Sequence, residues 1–253
     1  MNSSDQVVIL EQKLNTIFSR YRRLFNNQKI AVVVSGGIDS SIIAYYTSKF
    51  FDQTHLYTLH SSLGKDLPYA KKLADFLKKP LRVVNFNKES ASLVVPKVKK
   101  VLLQKKISPN LTQLSLATGF YLLFEKISKQ KIRLVFTGQG PDVLLGGYHR
   151  YRSIPLRKMN KAIKKDLPIL ELDKKRDQAV ADIFGVRLIN PYLEGDFVQF
   201  SFSLPPFYKY NQGWEKAILR DLGKKLGLPG DILRRHKKAF QYSTRLQRIV
   251  FQK

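Results

Sequence analysis

Apolar side chains recur at Val7, Ile9, Leu10, Leu14, Ile17, Phe18, Tyr21 and Leu24. That three-and-four spacing predicts an amphipathic helix over residues 6–25. The run IAVVV (30–34) is short, continuous and β-branched, the pattern of a strand buried on both faces of a parallel sheet. Helical spacing resumes at 40–51, and HLYTLH (55–60) predicts a second strand. A helix over 66–77 and a third strand, LRVVNF (81–86), follow. Next come two helices, 89–104 and 111–128, with Pro96 marking the first turn or a kink of the former, and a fourth strand at 132–137.

Strands alternating with helices in this way predict an α/β fold, a doubly wound parallel sheet with right-handed crossovers. Beyond Tyr151 the pattern turns helical, with helices expected over 155–167, 174–184, 196–203 and 214–226. The expected organisation is an N-terminal helix (1–28), an α/β core (29–150) and a mainly helical C-terminal part of the same domain (151–253). No internal repeat or low-complexity linker interrupts it.

Composition narrows the chemistry. The 253 residues include no cysteine, which removes disulfides, Cys-ligated metals and thiol nucleophiles from this chain. No N-terminal signal pattern and no apolar run of about 18 residues is visible, so the expectation is a cytoplasmic protein without a membrane span. The 45 Lys+Arg against 19 Asp+Glu give a formal charge of +26. Residues 1–60 hold only 6 basic and 4 acidic side chains, so the surplus lies beyond them, spread over most of the chain. Such a surface attracts polyanions, RNA among them, although a general lysine bias on solvated helix faces produces the same count.

The sharpest local feature is SGGIDSS (35–41), between the first strand and the next helix. Gly36 and Gly37 let backbone N–H groups approach an anion, and the helix adds the positive end of its dipole. Ser35, Ser40 and Ser41 offer hydroxyl donors to phosphate oxygens. Asp39 repels phosphate unless a cation such as Mg2+ lies between them. No Walker-type or Rossmann glycine pattern occurs. After the fourth strand comes FTGQGPDVLLGGYHRY (136–151), in which Gly138, Gly140, Gly146 and Gly147 permit tight paths and Asp142 supplies a second carboxylate. Loops at the carboxyl ends of parallel strands are where such sheets bind ligands. His55, His60, His149 and His236 make no metal-ligand spacing, and His149 is singled out because it follows the Gly-Gly turn.

SGGIDSS resembles the PP-loop of ATP pyrophosphatases, and the 136–151 stretch is similar to the G-E-G-S-D-E-x-F-G-G-Y loop of asparagine synthetases. The blocks 175–209 and 216–240 resemble that family's R-D … R-x-P-F-L-D … L-P … K and K-x-x-L-R … R-x-K-x-x-F patterns. The resemblance implies an adenine nucleotide alpha-hydrolase-like core. It implies ATP bound at Ser35, Gly36, Gly37, Asp39, Ser40, Ser41, Gly138 and Gly140, with the adenine beside Leu59 or Thr58. Mg2+ falls to Asp39 and Asp142, and Lys237 becomes the lysine that steadies the phosphates. The implied reaction is AMP- and pyrophosphate-forming amidation of a small carboxylate by ammonia or another amine, as in amino-acid biosynthesis.

Several positions depart from the family pattern. Gln139 replaces the acidic residue of G-E-G and cannot act as a base. Pro141 and Val143 replace Ser and Glu, while Arg187 and Ile189 stand where Glu and Arg are usual. Those positions are expected to handle the carboxylate and the amine. With 34 residues ahead of Ser35 and no cysteine, the amine is expected from solution or from a separate glutaminase. The first helix is a candidate docking element for such a partner. Two other functions stay open at this stage: an RNA-modifying enzyme of the same superfamily acting on tRNA, and a nucleotide-binding protein with reduced catalysis.

Overall fold

A computed structural model describes residues 3–236 and 240–251. Five parallel strands run in the order β3-β2-β1-β4-β5: β1 (Ile30–Val33), β2 (Thr54–His60), β3 (Leu81–Asn85), β4 (Leu134–Phe136) and β5 (Arg187–Ile189). The register sets Val32 beside Leu56, and Ile30 and Ala31 beside Leu134 and Val135. Helices cover both faces. Ile30 and Val32 point into a core built with α1 (Ser3–Leu24), α2 (Ile38–Phe50) and α3 (Leu67–Leu77). Ala31 points into a second core with α4 (Lys88–Gln104) and α5 (Leu111–Ser128). Burial on both faces is why β1 reads as an unbroken apolar run rather than an alternating one. The doubly wound fold expected from the sequence is therefore present, and its strand order reverses between β1 and β4, where crevices for ligands form.

The C-terminal half differs from expectation in three places. After α6 (Pro141–Leu144), the helices expected over 155–167 and 174–184 are one continuous α7 (Leu156–Asp182). Pro168 lies inside it, exposed to solvent. A proline removes one N–H and frees the carbonyl four residues back, but on a solvent face that carbonyl reaches water. Pro96 likewise sits exposed within α4 rather than in its first turn. Second, β5 extends the sheet in the stretch between expected helices to which no element was assigned. It is three residues long, too short for a periodicity, and is held by pairing to β4 and by Thr137 N–H donating to the Ile189 carbonyl at 3.0 Å.

Third, after α8 (Gly195–Ser203) the chain forms a small hairpin, β6 (Tyr210–Asn211) and β7 (Trp214–Glu215), where a helix from 214 was expected. Gln212 and Gly213 at φ 48° and 82° make its two-residue turn, a geometry matched to the twist of paired strands. The helix begins only at Ala217, as α9 (Ala217–Lys225), followed by α10 (Gly230–Leu233), α11 (Phe240–Ser243) and α12 (Leu246–Phe251). Among the described residues no helix is long and apolar enough to cross a membrane.

Candidate active site

A cavity of about 320 Å3 opens at the carboxyl ends of β1 and β4. Its floor is the SGGIDSS loop. Gly36 has φ +66°, and a side chain there would run into the Tyr69 and Ala70 backbone at the start of α3. Only glycine satisfies both demands. The serines lock the loop: Ser35 N–H donates to Ser40 Oγ (3.2 Å), Gly37 N–H to Ser35 Oγ (3.3 Å), and Ser40 Oγ to the Gly37 carbonyl (3.2 Å). Arg235 clamps the loop from above. Its guanidinium donates to the Ser35 carbonyl and to Asp66, and lies 4.2 Å from the centre of the Tyr69 ring.

The second wall follows β4. A Cβ on Gly138 would meet the backbone of Ser40 at 2.7 Å, so the two ligand loops pack backbone to backbone. Gln139 lines the cavity with its N–H turned to Thr137 Oγ1 (3.4 Å). Asp39 and Asp142 converge, and what joins them is Lys216. Its ammonium contacts Asp39 Oδ2 and lies 2.6 Å from Asp142 Oδ1, with the lysine side chain 1% exposed. Lys216 sits in the left-handed region at φ 56°, ψ 42°, costly for a residue with a Cβ. It reaches the carboxylates by passing over Gly147, where any Cβ would strike the Lys216 Cε.

A third wall belongs to α5 and α7. Arg176 and Asp177 are both 2% exposed. Arg176 binds Asp177 through two nitrogens (2.7 and 3.1 Å), Asp173 at 2.5 Å and Gln113 at 2.9 Å. Burial pushes the Asp177 carboxyl up to about 6, against the pull of Arg176. At the rim, Arg220 holds Glu215 at 3.0 Å and lies 4.6 Å from the centre of the Trp214 ring. His236 stacks on Trp214 (4.4 Å, 5°), with Nδ1 3.6 Å from Glu215 Oε2. Val33, Leu116, Phe120 and Phe240 give the cavity an apolar side.

Of the residues expected at the site, Ser35, Gly37, Asp39, Ser40, Gly138, Gln139 and Asp142 line this cavity. Gly36, Ser41, Gly140 and Leu59 are not among its lining residues. Ser41 is fully buried and Leu59 lies in the second core. Lys237 falls outside the described residues. Of the five positions expected to handle carboxylate and amine, Gln139 lines the cavity and the other four do not. Arg187 opens β5, opposite Leu134, so it lies at the amino end of the strand, with its guanidinium over Phe25. Ile189, Pro141 and Val143 are buried. His149 is exposed on the surface, and the histidine that reaches the cavity is His236.

Lys216, Arg176, Asp177, Glu215 and Arg235 were not singled out from the sequence. Arg176, Asp177, Lys216 and Arg235 occupy R-D, K-x-x-L-R and R-x-K positions of the patterns quoted above, but that they serve one site shows only once the fold gathers them. For a divalent cation, the donor set is two carboxylates. Among the described residues no group of three or more His, Asp or Glu converges as a complete metal site. Asp39 and Asp142 nevertheless already share one cation, the Lys216 ammonium, so the pair would suit Mg2+ beside an anionic ligand.

The family model for asparagine synthase matches residues 19–181 and 169–250. The chain is 27% identical over 274 residues to a putative glutamine-hydrolyzing asparagine synthetase of Methanocaldococcus jannaschii, covering 94% of this chain and 49% of that protein. It is 27% identical over 250 residues to the glutamine-hydrolyzing asparagine synthetase of Rattus norvegicus, covering 93% and 44%. The chain thus spans about half the length, or less, of these relatives. Among solved structures, NMN synthetase from Francisella tularensis is similar in fold (TM-score 0.50, 14% identity, 95% of this chain and 77% of that one). The chain belongs to the asparagine synthase family.

Proposed function

We propose that this member of the asparagine synthase family uses Mg-ATP to adenylate a small carboxylate and passes the acyl group to ammonia or another amine, releasing pyrophosphate and then AMP. One observation carries this reading: the SGGIDSS loop, Asp142 and the buried Lys216 meet at the point where the strand order reverses. The Ser35–Ser40 loop and the start of α2 receive the phosphates. Asp39 and Asp142 would hold Mg2+, which would supply positive charge to the phosphates. Lys216 supplies a second, fixed positive charge beside it, and a preorganised charge of this kind acts where the transition state develops its own.

The apolar side formed by Val33, Leu116, Phe120 and Phe240 takes the adenine, leaving the α-phosphate and the carboxylate beside Gln139. The amine comes from solution or from a glutaminase, glutamine hydrolysis being part of the names of the relatives. Exchange of labelled pyrophosphate into ATP tests the first half-reaction. It is expected only when a carboxylate from a panel headed by L-aspartate is present, and is lost in Asp39→Asn. No exchange with any carboxylate contradicts the proposal.

A second reading, action on RNA, is favoured by one surface. Along the first half of α7, Arg157, Lys158, Lys161, Lys164 and Lys165 are exposed, while the neighbouring Arg150 and Arg152 are paired with Asp166 and Glu215. RNA affinity that falls steeply with salt supports it. Affinity that is flat or absent removes it.

A further inference from the structure

The amide-forming step needs a group to take a proton from the attacking nitrogen. Gln139, where the family's acidic residue stands, cannot accept one. The cavity's carboxylates are committed: Asp39 and Asp142 to Lys216, Asp173 and Asp177 to Arg176, and Glu215 to Arg220 and Arg152. One proton acceptor of another kind lines the cavity, His236.

Its setting is built rather than incidental. The ring lies flat on Trp214, 4.4 Å centre to centre and 5° from parallel. Nδ1 is 3.6 Å from Glu215 Oε2, on a carboxylate that is 1% exposed and fixed by Arg220 at 3.0 Å and Arg152 at 3.4 Å. Arg220 in turn packs on Trp214. The imidazole side chain is 55% exposed, so a second substrate can reach it. Carboxylate, imidazole and substrate in series is the arrangement by which a buried acid orients a histidine and stabilises its charged form, and imidazole is the side chain suited to proton exchange near neutral pH.

Building on the adenylation reading above, we infer that His236, oriented by Trp214 and Glu215, is the base that receives the proton of the incoming amine. The nitrogen lone pair forms the C–N bond at the acyl carbon. The C–O bond to AMP breaks, with its electron pair leaving on AMP, and the proton shed by the nitrogen passes to His236 Nε2, since Nδ1 is turned to Glu215.

The test compares two nucleophiles, ammonium chloride and hydroxylamine, with Mg-ATP and the same carboxylate panel. Hydroxylamine is mostly unprotonated near neutral pH and attacks activated acyl groups with little dependence on a base, whereas ammonia, mostly present there as ammonium, depends on one strongly. In His236→Ala and His236→Gln the ratio of amide to hydroxamate is expected to fall about 100-fold relative to the parent chain, the usual scale of general base catalysis. Added imidazole should restore part of it in His236→Ala. A ratio within about threefold of the parent overturns the assignment. If the parent chain makes no hydroxamate with any carboxylate, the adenylation reading itself has failed and takes this inference with it.

Discussion

Replacing Lys216 with methionine keeps the length of the side chain and removes its charge. The ammonium is buried between two carboxylates, one of them 2.6 Å away, while Asp39 and Asp142 keep 15% and 25% side-chain exposure. Breaking a buried ion pair by removing one partner costs about 3–5 kcal/mol. Because water still reaches both carboxylates, the lower end applies, about 3 kcal/mol. With a urea slope of about 2–3 kcal/mol/M for a chain of this size, the midpoint should drop by about 1–1.5 M.

Millimolar Mg2+ should then return part of the loss in Lys216→Met, because a divalent ion can take the place of the ammonium. In the absence of nucleotide the same addition should leave the parent chain unmoved, because the ammonium already balances both acids and no phosphate is there to bring Mg2+ in beside it. Lys216→Gly is the control for backbone conformation, since it relieves the left-handed strain while also removing the charge. It should be more stable than Lys216→Met by about 1 kcal/mol and respond to Mg2+ in the same way. A loss below about 1 kcal/mol, or no difference in Mg2+ response, refutes the view that one shared cation position joins these acids.

Gly147→Ala should mimic the lysine variants, because its Cβ meets the Lys216 side chain and the Asp142 backbone at 2.9 Å; pyrophosphate exchange and urea midpoint should fall together. Arg235→Lys keeps the charge but loses the fork that spans the Ser35 carbonyl and Asp66. ATP affinity measured by calorimetry should weaken about 10-fold, with the urea midpoint little changed. Lys209 is fully buried beside Asn160 at 2.6 Å, and burial pulls it down to about 8. The folded chain therefore binds fewer protons than the unfolded one between about pH 8 and the ordinary lysine value near 10.4, so stability should rise with pH across that window. Lys209→Met should lack that rise, and denaturation curves from pH 7 to 10.5 that superimpose in shape for both chains would count against it.

Much of the sheet was legible in the sequence because its strands are buried on both faces and announce themselves as apolar runs, as at Ile30–Val33 and Leu134–Phe136. The two glycine-rich loops were legible for a related reason: glycines at fixed offsets from a strand end have few structural uses. What stayed hidden depends on tertiary context. Pro168 reads as a helix breaker, and only the solvent exposure of its face lets α7 run through it. The strand Arg187–Ile189 has three residues and gains its identity from β4 beside it.

Site residues divide in the same way. Ser35, Asp39 and Asp142 sit next to strand ends and could be placed from local pattern. Lys216 arrives from 177 positions beyond Asp39, just after a hairpin whose second strand, Trp214–Glu215, reads as the start of a helix. Arg187 shows the converse: family position suggested a role at the ligand end, and strand register puts it at the other end of the sheet.

The central claim is the bond in ATP that breaks. Phosphorus NMR of the chain incubated with Mg-ATP, ammonium and the carboxylate panel reads it directly. AMP and pyrophosphate in equal amounts, dependent on one carboxylate and absent in Asp39→Asn, is the predicted result. ADP and inorganic phosphate, or ATP left intact with every carboxylate, would contradict the account.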